Sequence, residues 1–393
     1  MGFKKGAIGA IGIAYLLIAL EIVIMISPFA AYFYSVYGPL LKLLSASPLT
    51  VWMADFFLPH MVSPDDPPLI FIGYLEPFLF YGGLALFFSA FIPLYAAKLM
   101  RKRVVVKGLY ALVRHPQYLG LSVSGLGLLL YWPRFFILLM YITMLYLYDL
   151  LAKIEEERLE REFGEEYVNY KLRTPMFLPG SPGAKISNLF AGLAGRRIAL
   201  FVSYLLALMA AIGAAFLLRG YTRSHLPMTF AENLAVVSVF PMEGRRMEEI
   251  IATALRDEAV RSKLKELRGG GKAVSQAYIM PPDFGMTGLV ADVERRHRMD
   301  AGGHRHRGGL LRYLGFMLHH LRRKGPEIPV QRVFFVEVTS PRGYPLPARE
   351  ALTVGARRNP LFLVEVDLEG REVLEVRETP PRHRWGDIPM PAF

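Results

Sequence analysis

Four apolar stretches long enough to cross a bilayer constrain this chain more than any other feature of its sequence. A spanning helix needs about 20 apolar residues. Ala7 to Ser27 meets that length with only Glu21 interrupting it, and Leu69 to Met100 exceeds it while carrying Glu76, Pro77 and Pro93. Leu119 to Leu151 is too long for one crossing and is broken at Trp132-Pro133-Arg134, which suits a tight hairpin of two spans. Ile198 to Leu218 brings the expected total to five. Phe29 to Leu44 is aromatic but short and holds Pro39, so it reads as an interfacial or re-entrant piece. With 53% hydrophobic and 20% charged residues gathered into such runs, neither a disordered chain nor a coiled coil fits.

The pattern changes near Gly220, which divides the chain into a membrane domain, residues 1–219, and a polar domain, residues 220–393. In the second part, Leu234 to Phe240, Ala273 to Met280, Val330 to Thr339 and Leu361 to Val376 read as strands, the last turning at Glu369-Gly370. Glu243 to Leu267 and Leu310 to Arg323 read as helices. The expected fold is therefore an α-helical integral membrane core of about five transmembrane helices followed by a soluble α+β domain, a small sheet backed by two helices. No family is recognised in that domain, and its partner is unknown. His297, His304 and His306 lie among Arg and Gly without a ligand spacing, and His319 and His320 point about 100° apart on a helix, so no metal site is expected. The absence of cysteine excludes disulfides, thiolate ligands and Cys nucleophiles. A formal charge of +12 spread over both parts does not by itself separate nucleic acid from an anionic membrane surface, and since nothing beyond net charge points to nucleic acid, none is expected as a partner.

Charges beside the spans set the expected orientation. Lys4 and Lys5 precede the first span, whereas Ser45 to Pro68 holds no Lys or Arg. Arg101, Lys102, Arg103 and Lys107 follow the second span, and the hairpin returns the chain to the same side at Lys153. A multi-pass protein of the cell membrane with a cytoplasmic N-terminus follows. Counting helices places the C-terminal domain outside the cytoplasm, with Arg196, Arg197, Arg219 and Arg223 flanking both ends of the last span.

Two polar stretches bracket the hairpin, and its short connection brings them together at one membrane boundary. The first contains Gly108-Leu109-Tyr110 and Arg114-His115-Pro116-Gln117-Tyr118-Leu119-Gly120. The second contains Glu155-Glu156-Glu157-Arg158-Leu159, then Phe163-Gly164, Tyr167, Tyr170, and Arg173 with Pro175 and Pro179. The ordered set G-x-Y, R-H-P-x-Y-x-G, E-E-x-x-L, F-G-x-x-Y-x-x-Y and R-x-P-x-x-x-P resembles the membrane methyltransferases typified by isoprenylcysteine carboxyl methyltransferase and phospholipid N-methyltransferases. The resemblance covers roughly Tyr95 to Pro179. It implies an S-adenosyl-L-methionine site formed by Tyr110, His115, Pro116, Gln117, Tyr118 and Glu155, with the backbone of Arg103, Val104 and Val105 along the adenosine. It further implies Glu156 and Arg173 as catalytic residues, the latter for a lipid phosphate or carboxylate.

The residue types suit that cofactor on their own chemistry. Aromatic faces and carboxylates stabilise a sulfonium, an imidazole or carboxylate bonds a ribose diol, and an apolar slot takes adenine. Glu157, Glu160, Glu162, Glu165 and Glu166 interleave with Lys153, Arg158 and Arg161 at helical pair spacings and read as surface charges. The isoprenylcysteine enzymes carry an Arg four residues before the first Glu, where this chain has Leu151, which weakens the case for a carboxylate acceptor. Glu21, Glu76 and Asp149 lie within apolar spans, where ionisable groups are costly and face protein or a cavity. Their charge favours an amine-bearing lipid or lipid-linked acceptor over a thiol or carboxylate. Two alternatives stand beside this one: an NADPH-dependent membrane reductase of the sterol-reductase type, which ends in a similar R-H-P-x-Y pattern, and an inactive membrane anchor for the C-terminal domain.

Overall fold

The structure is a computed structural model, and it describes residues 2–37, 40–100, 104–177, 196–282 and 329–379, with side chains of the first helix from Tyr15. Compact packing divides it into two units, residues 1–41 with 75–215, and residues 42–74 with 216–393. The second unit thus gathers the segment between the first two spans together with the C-terminal part of the chain. Composition carries no sign of that grouping.

The membrane unit is helical because its apolar runs have no other way to satisfy backbone polar groups in hydrocarbon. α1 (Gly2–Tyr37), α3 (Pro67–Leu99), α6 (Phe135–Phe163) and α8 (Arg196–Ser224) are each long and apolar enough to cross a bilayer. Between α1 and α3 lies the short α2 (Leu40–Ala46), and between α3 and α6 lie α4 (Leu109–Leu112) and α5 (Pro116–Tyr131). At 16 residues α5 is about 24 Å long, short of the core thickness, and it forms the expected hairpin with α6 through Trp132-Pro133-Arg134. Phe29 to Tyr37 departs from the sequence expectation: it continues α1 past Pro28 instead of forming a separate interfacial piece. Packing explains the continuation, since the buried Tyr32 donates a hydrogen bond to the Gly125 carbonyl of α5 at 2.7 Å and its ring lies 5.8 Å from that of Tyr141 on α6.

α3 and α5 cross with almost no space between backbones. A Cβ at Gly120 would lie 2.5 Å from the Phe87 backbone nitrogen, and Gly83 and Gly127 face the partner helix in the same way. Membrane helices associate through such small-residue contacts because lipid offers no hydrophobic drive between them.

The second unit carries a six-stranded sheet in the order β1 (Met228–Ala231), β2 (Leu234–Ser238), β3 (Val274–Met280), β4 (Val330–Thr339), β5 (Arg357–Asp367), β6 (Glu372–Glu378). β2 and β3 are parallel and all other neighbours antiparallel. The β2–β3 crossover runs through α9 (Gly244–Arg256) and α10 (Glu258–Gly269), as a parallel pair requires. The single helix expected over Glu243 to Leu267 is split because Asp257 is extended and its side chain caps α10 by accepting from the Val260 N–H at 3.0 Å. Met247, Ile250, Ile251 and Val260 bury one sheet face, and Val62, Leu226, Ala351 and Leu352 bury the other. The helix expected at Leu310 to Arg323 and the histidines at 297, 304, 306, 319 and 320 lie outside the described residues. Among the described residues no cluster of His, Asp and Glu suits a metal ion.

Candidate functional site

The site forms where α5 begins and α6 ends. Pro116 opens α5, its missing N–H costing nothing at the first helical position, and this puts His115 at the N-cap. The chain after α7 (Glu165–Arg173) straps this corner, with the Arg114 N–H donating to the Pro175 carbonyl at 2.9 Å and the His115 N–H to Met176 at 3.2 Å. The turn from α6 into α7 requires Gly164, whose φ of 57° a side chain would strain. Tyr170 on α7 then donates to the Tyr110 carbonyl at 2.6 Å.

Glu156 is the buried hub. It accepts from Arg114 Nε at 2.7 Å and from His115 Nε2 at 3.2 Å, and its second oxygen lies 3.2 Å from Lys171 Nζ. Arg114 also donates to the carbonyls of Lys171, at 2.9 Å, and of Thr174. His115 itself is 2% exposed. Its Nδ1 lies 3.5 Å from Glu155 Oε2 and makes no hydrogen bond. Behind the imidazole, the Tyr118 ring stacks at 5.7 Å and passes the stack to Tyr148 at 5.0 Å. Tyr110 donates to Gln117 Oε1 at 3.2 Å and to the Ala90 carbonyl at 3.3 Å.

In front of these groups lies a cavity of about 420 Å³, within the range of small-ligand clefts. Of the residues expected at the site, Val104, Val105, Tyr110, His115, Gln117 and Glu155 line it. Pro116, Tyr118 and Glu156 support it from behind, Arg173 is exposed at the end of α7 away from its lining, and Arg103 lies outside the described residues. Five charged residues that the sequence did not assign to a cofactor site join the described wall: Glu21, Lys98, Arg114, Arg158 and Glu162. Lys98 Nζ contacts Glu21 Oε1 at 2.5 Å, drawing α1 into the site. Glu155, Arg158 and Glu162 follow at three and four residues, the spacing of one helix face; Arg158 and Glu162, expected as surface charges, instead line the cavity, which spacing alone does not reveal.

Residues 74–166 match the phospholipid methyltransferase family. The matched segment is under a quarter of the chain. It runs from α3 to the start of α7 and includes most of the cavity wall, while Glu21, Tyr167 and Tyr170 lie outside it. The match supports a membrane core of methyltransferase type. No curated protein and no solved structure matches the chain.

Electrostatics bind the corner together. Burial acts to lower the His115 pKa, but the charges of Glu155 and Glu156 and the hydrogen bond to Glu156 outweigh it and hold the imidazole above its ordinary value. A group raised on folding stabilises fully below its unfolded pKa, about 6.5 for His, and that contribution disappears as pH climbs through the raised value. Thermal stability of the purified protein is therefore expected to fall as pH rises above about 6.5, with a His115→Asn variant lacking that limb. A melting temperature that is flat with pH for both proteins rules out a charged His115. Burial and Glu155 likewise raise Tyr110, which keeps its hydroxyl a donor.

Proposed function

We propose that this protein is an integral-membrane methyltransferase that uses S-adenosyl-L-methionine to methylate a lipid or lipid-linked acceptor, with an amine favoured. The observation that carries the reading is the cavity where α5 begins and α6 ends, where a buried imidazole whose Nδ1 makes no hydrogen bond stands beside a partly exposed carboxylate within the matched segment. These groups fit the cofactor. His115 Nδ1 and Glu155 suit a ribose diol, Val104 and Val105 a flat base, and Tyr110 with the carboxylates a sulfonium. When bound, the cofactor supplies an electrophilic methyl group.

The chain's own task is then alignment and exclusion of water. Glu156, locked by Arg114, His115 and Lys171, fixes the imidazole from behind rather than facing the cavity. Glu21, on the first span, gives the cavity a carboxylate suited to receive the proton of an ammonium acceptor, with Lys98 as its resting partner. Lys and Arg beside the spans support a cytoplasmic site. The lysine- and arginine-free loop from Ser45 to Pro68 packs within the second unit, Asp55 accepting from the Gly355 N–H and Val62 entering the sheet core, which supports an extracytoplasmic C-terminal domain.

Calorimetry on the full chain in lipid nanodiscs tests the reading. S-adenosylhomocysteine is expected to bind and NADPH not to, and lipid extract incubated with methyl-labelled cofactor is expected to yield a labelled lipid by mass spectrometry. Binding of NADPH without S-adenosylhomocysteine overturns it in favour of a reductase, and binding of neither in favour of an inactive anchor.

A further inference from the structure

Resting on that reading, we propose that Arg158 and Glu162 form a subsite for a zwitterionic α-amino acid group, the methionyl end of the cofactor. Among the described residues, three Lys and Arg side chains line the cavity. Lys98 is held by Glu21, and Arg114 is spent on Glu156 and two backbone carbonyls. Arg158 is exposed on the wall, and among the described residues it makes no hydrogen bond or ion pair. Glu162, one helical turn further on and also on the wall, is likewise unengaged. The two are spaced to meet at i and i+4, yet in the order cation then anion, the less favourable orientation on a helix. Both therefore keep their hydrogen-bonding capacity for a ligand.

Their chemistry matches an amino acid on both counts. A guanidinium forks onto a carboxylate through two parallel N–H donors, and a carboxylate accepts from an ammonium. Position agrees as well. Arg158 and Glu162 lie about 4.5 and 10.5 Å beyond Glu155 along the axis of α6. A ribose held at Glu155 and His115 would extend its thioether arm over that reach. The C-terminal end of α6 carries partial negative charge, which repels a bare carboxylate and favours an ammonium. A cation at Arg158 is what lets the carboxylate settle there.

5′-Methylthioadenosine shares the nucleoside and sulfur of S-adenosylhomocysteine and lacks the amino acid, so the two ligands isolate the subsite. Calorimetry on the full-length protein should show S-adenosylhomocysteine binding the unaltered chain at least about ten-fold more tightly than methylthioadenosine. In Arg158→Gln the first affinity should drop roughly ten-fold while the second stays unchanged, and Arg158→Lys should recover part of the loss. Glu162→Gln should show a smaller loss in the same ligand alone. S-adenosylhomocysteine affinity untouched by Arg158→Gln, or both ligands weakened equally, overturns the subsite and leaves the methyltransferase reading standing. A shift confined to the KM of a serine-headgroup lipid, with cofactor affinity unchanged, also overturns it and assigns the pair to the acceptor. Binding of neither nucleoside to the unaltered chain overturns the methyltransferase reading itself, and the subsite with it.

Discussion

Glu155→Ala is expected to bind S-adenosylhomocysteine about 100-fold more weakly than the unaltered chain while losing far less thermal stability than Glu156→Ala. The Glu155 side chain is 24% exposed on the cavity wall, so removal uncovers no orphaned charge in a dry interior. His115 retains Glu156 at 3.2 Å, and the corner stays closed. On the proposed reading, what disappears is a carboxylate acceptor for the ribose. Hydrogen bonds to a charged group contribute about 1.5–3 kcal/mol each, and about 3 kcal/mol in total corresponds to roughly 100-fold at 1.4 kcal/mol per decade.

The neighbouring residue should behave in the opposite way. Glu156 has a 4% exposed side chain and joins Arg114, His115 and Lys171, so Glu156→Ala leaves a buried guanidinium and imidazole without their anion. Breaking such a buried pair from one side costs about 3–5 kcal/mol. That variant should lose stability first and ligand only as a consequence. Calorimetry and thermal unfolding on both proteins separate the two roles. Comparable ligand affinity in Glu155→Ala and the unaltered chain would remove Glu155 from the site, and with it the present assignment of the cavity.

The doublet shows how far sequence reasoning reaches. The pattern places both carboxylates, but only the turn of α6 decides which faces the cavity and which faces Arg114. Tyr110, His115, Gln117 and Glu155 were legible because short motifs fix their helix starts and the hairpin fixes their meeting. Arg158 and Glu162 carry helical spacing in the sequence, yet spacing alone does not distinguish a solvated face from a cavity wall. The contact of Glu21 with Lys98 spans 77 positions between two apolar helices, and no local signal announces it. The same holds in the second unit, where Asp55 meets Gly355 across 300 positions. Spans were legible because hydrocarbon demands long apolar helices. The fate of Phe29 to Tyr37 was not, because Tyr32 finds its partner only once α5 is in place.

That dependence on close helix contact makes Gly120→Leu the most damaging substitution expected in the membrane unit. Gly120 meets the backbone of Phe87, not a flexible side chain, so a Cβ there forces whole helices apart. Overpacking of this kind costs about 3 kcal/mol, and the small-residue crossing is itself what joins α3 to α5. Because α5 carries His115 and Gln117 at its first turn, any shift of the helix also moves the cavity wall. Gly120→Leu should therefore aggregate or melt well below the unaltered protein and bind no S-adenosylhomocysteine, with Gly120→Ala intermediate. Gly82 supplies the control: it is exposed on α3, a Cβ there meets nothing within 4 Å, and Gly82→Leu should leave melting and binding unchanged. If both leucine variants melt alike, the tight crossing of α3 and α5 is wrong. If Gly120→Leu melts low but still binds ligand fully, the crossing stands and its link to the site does not.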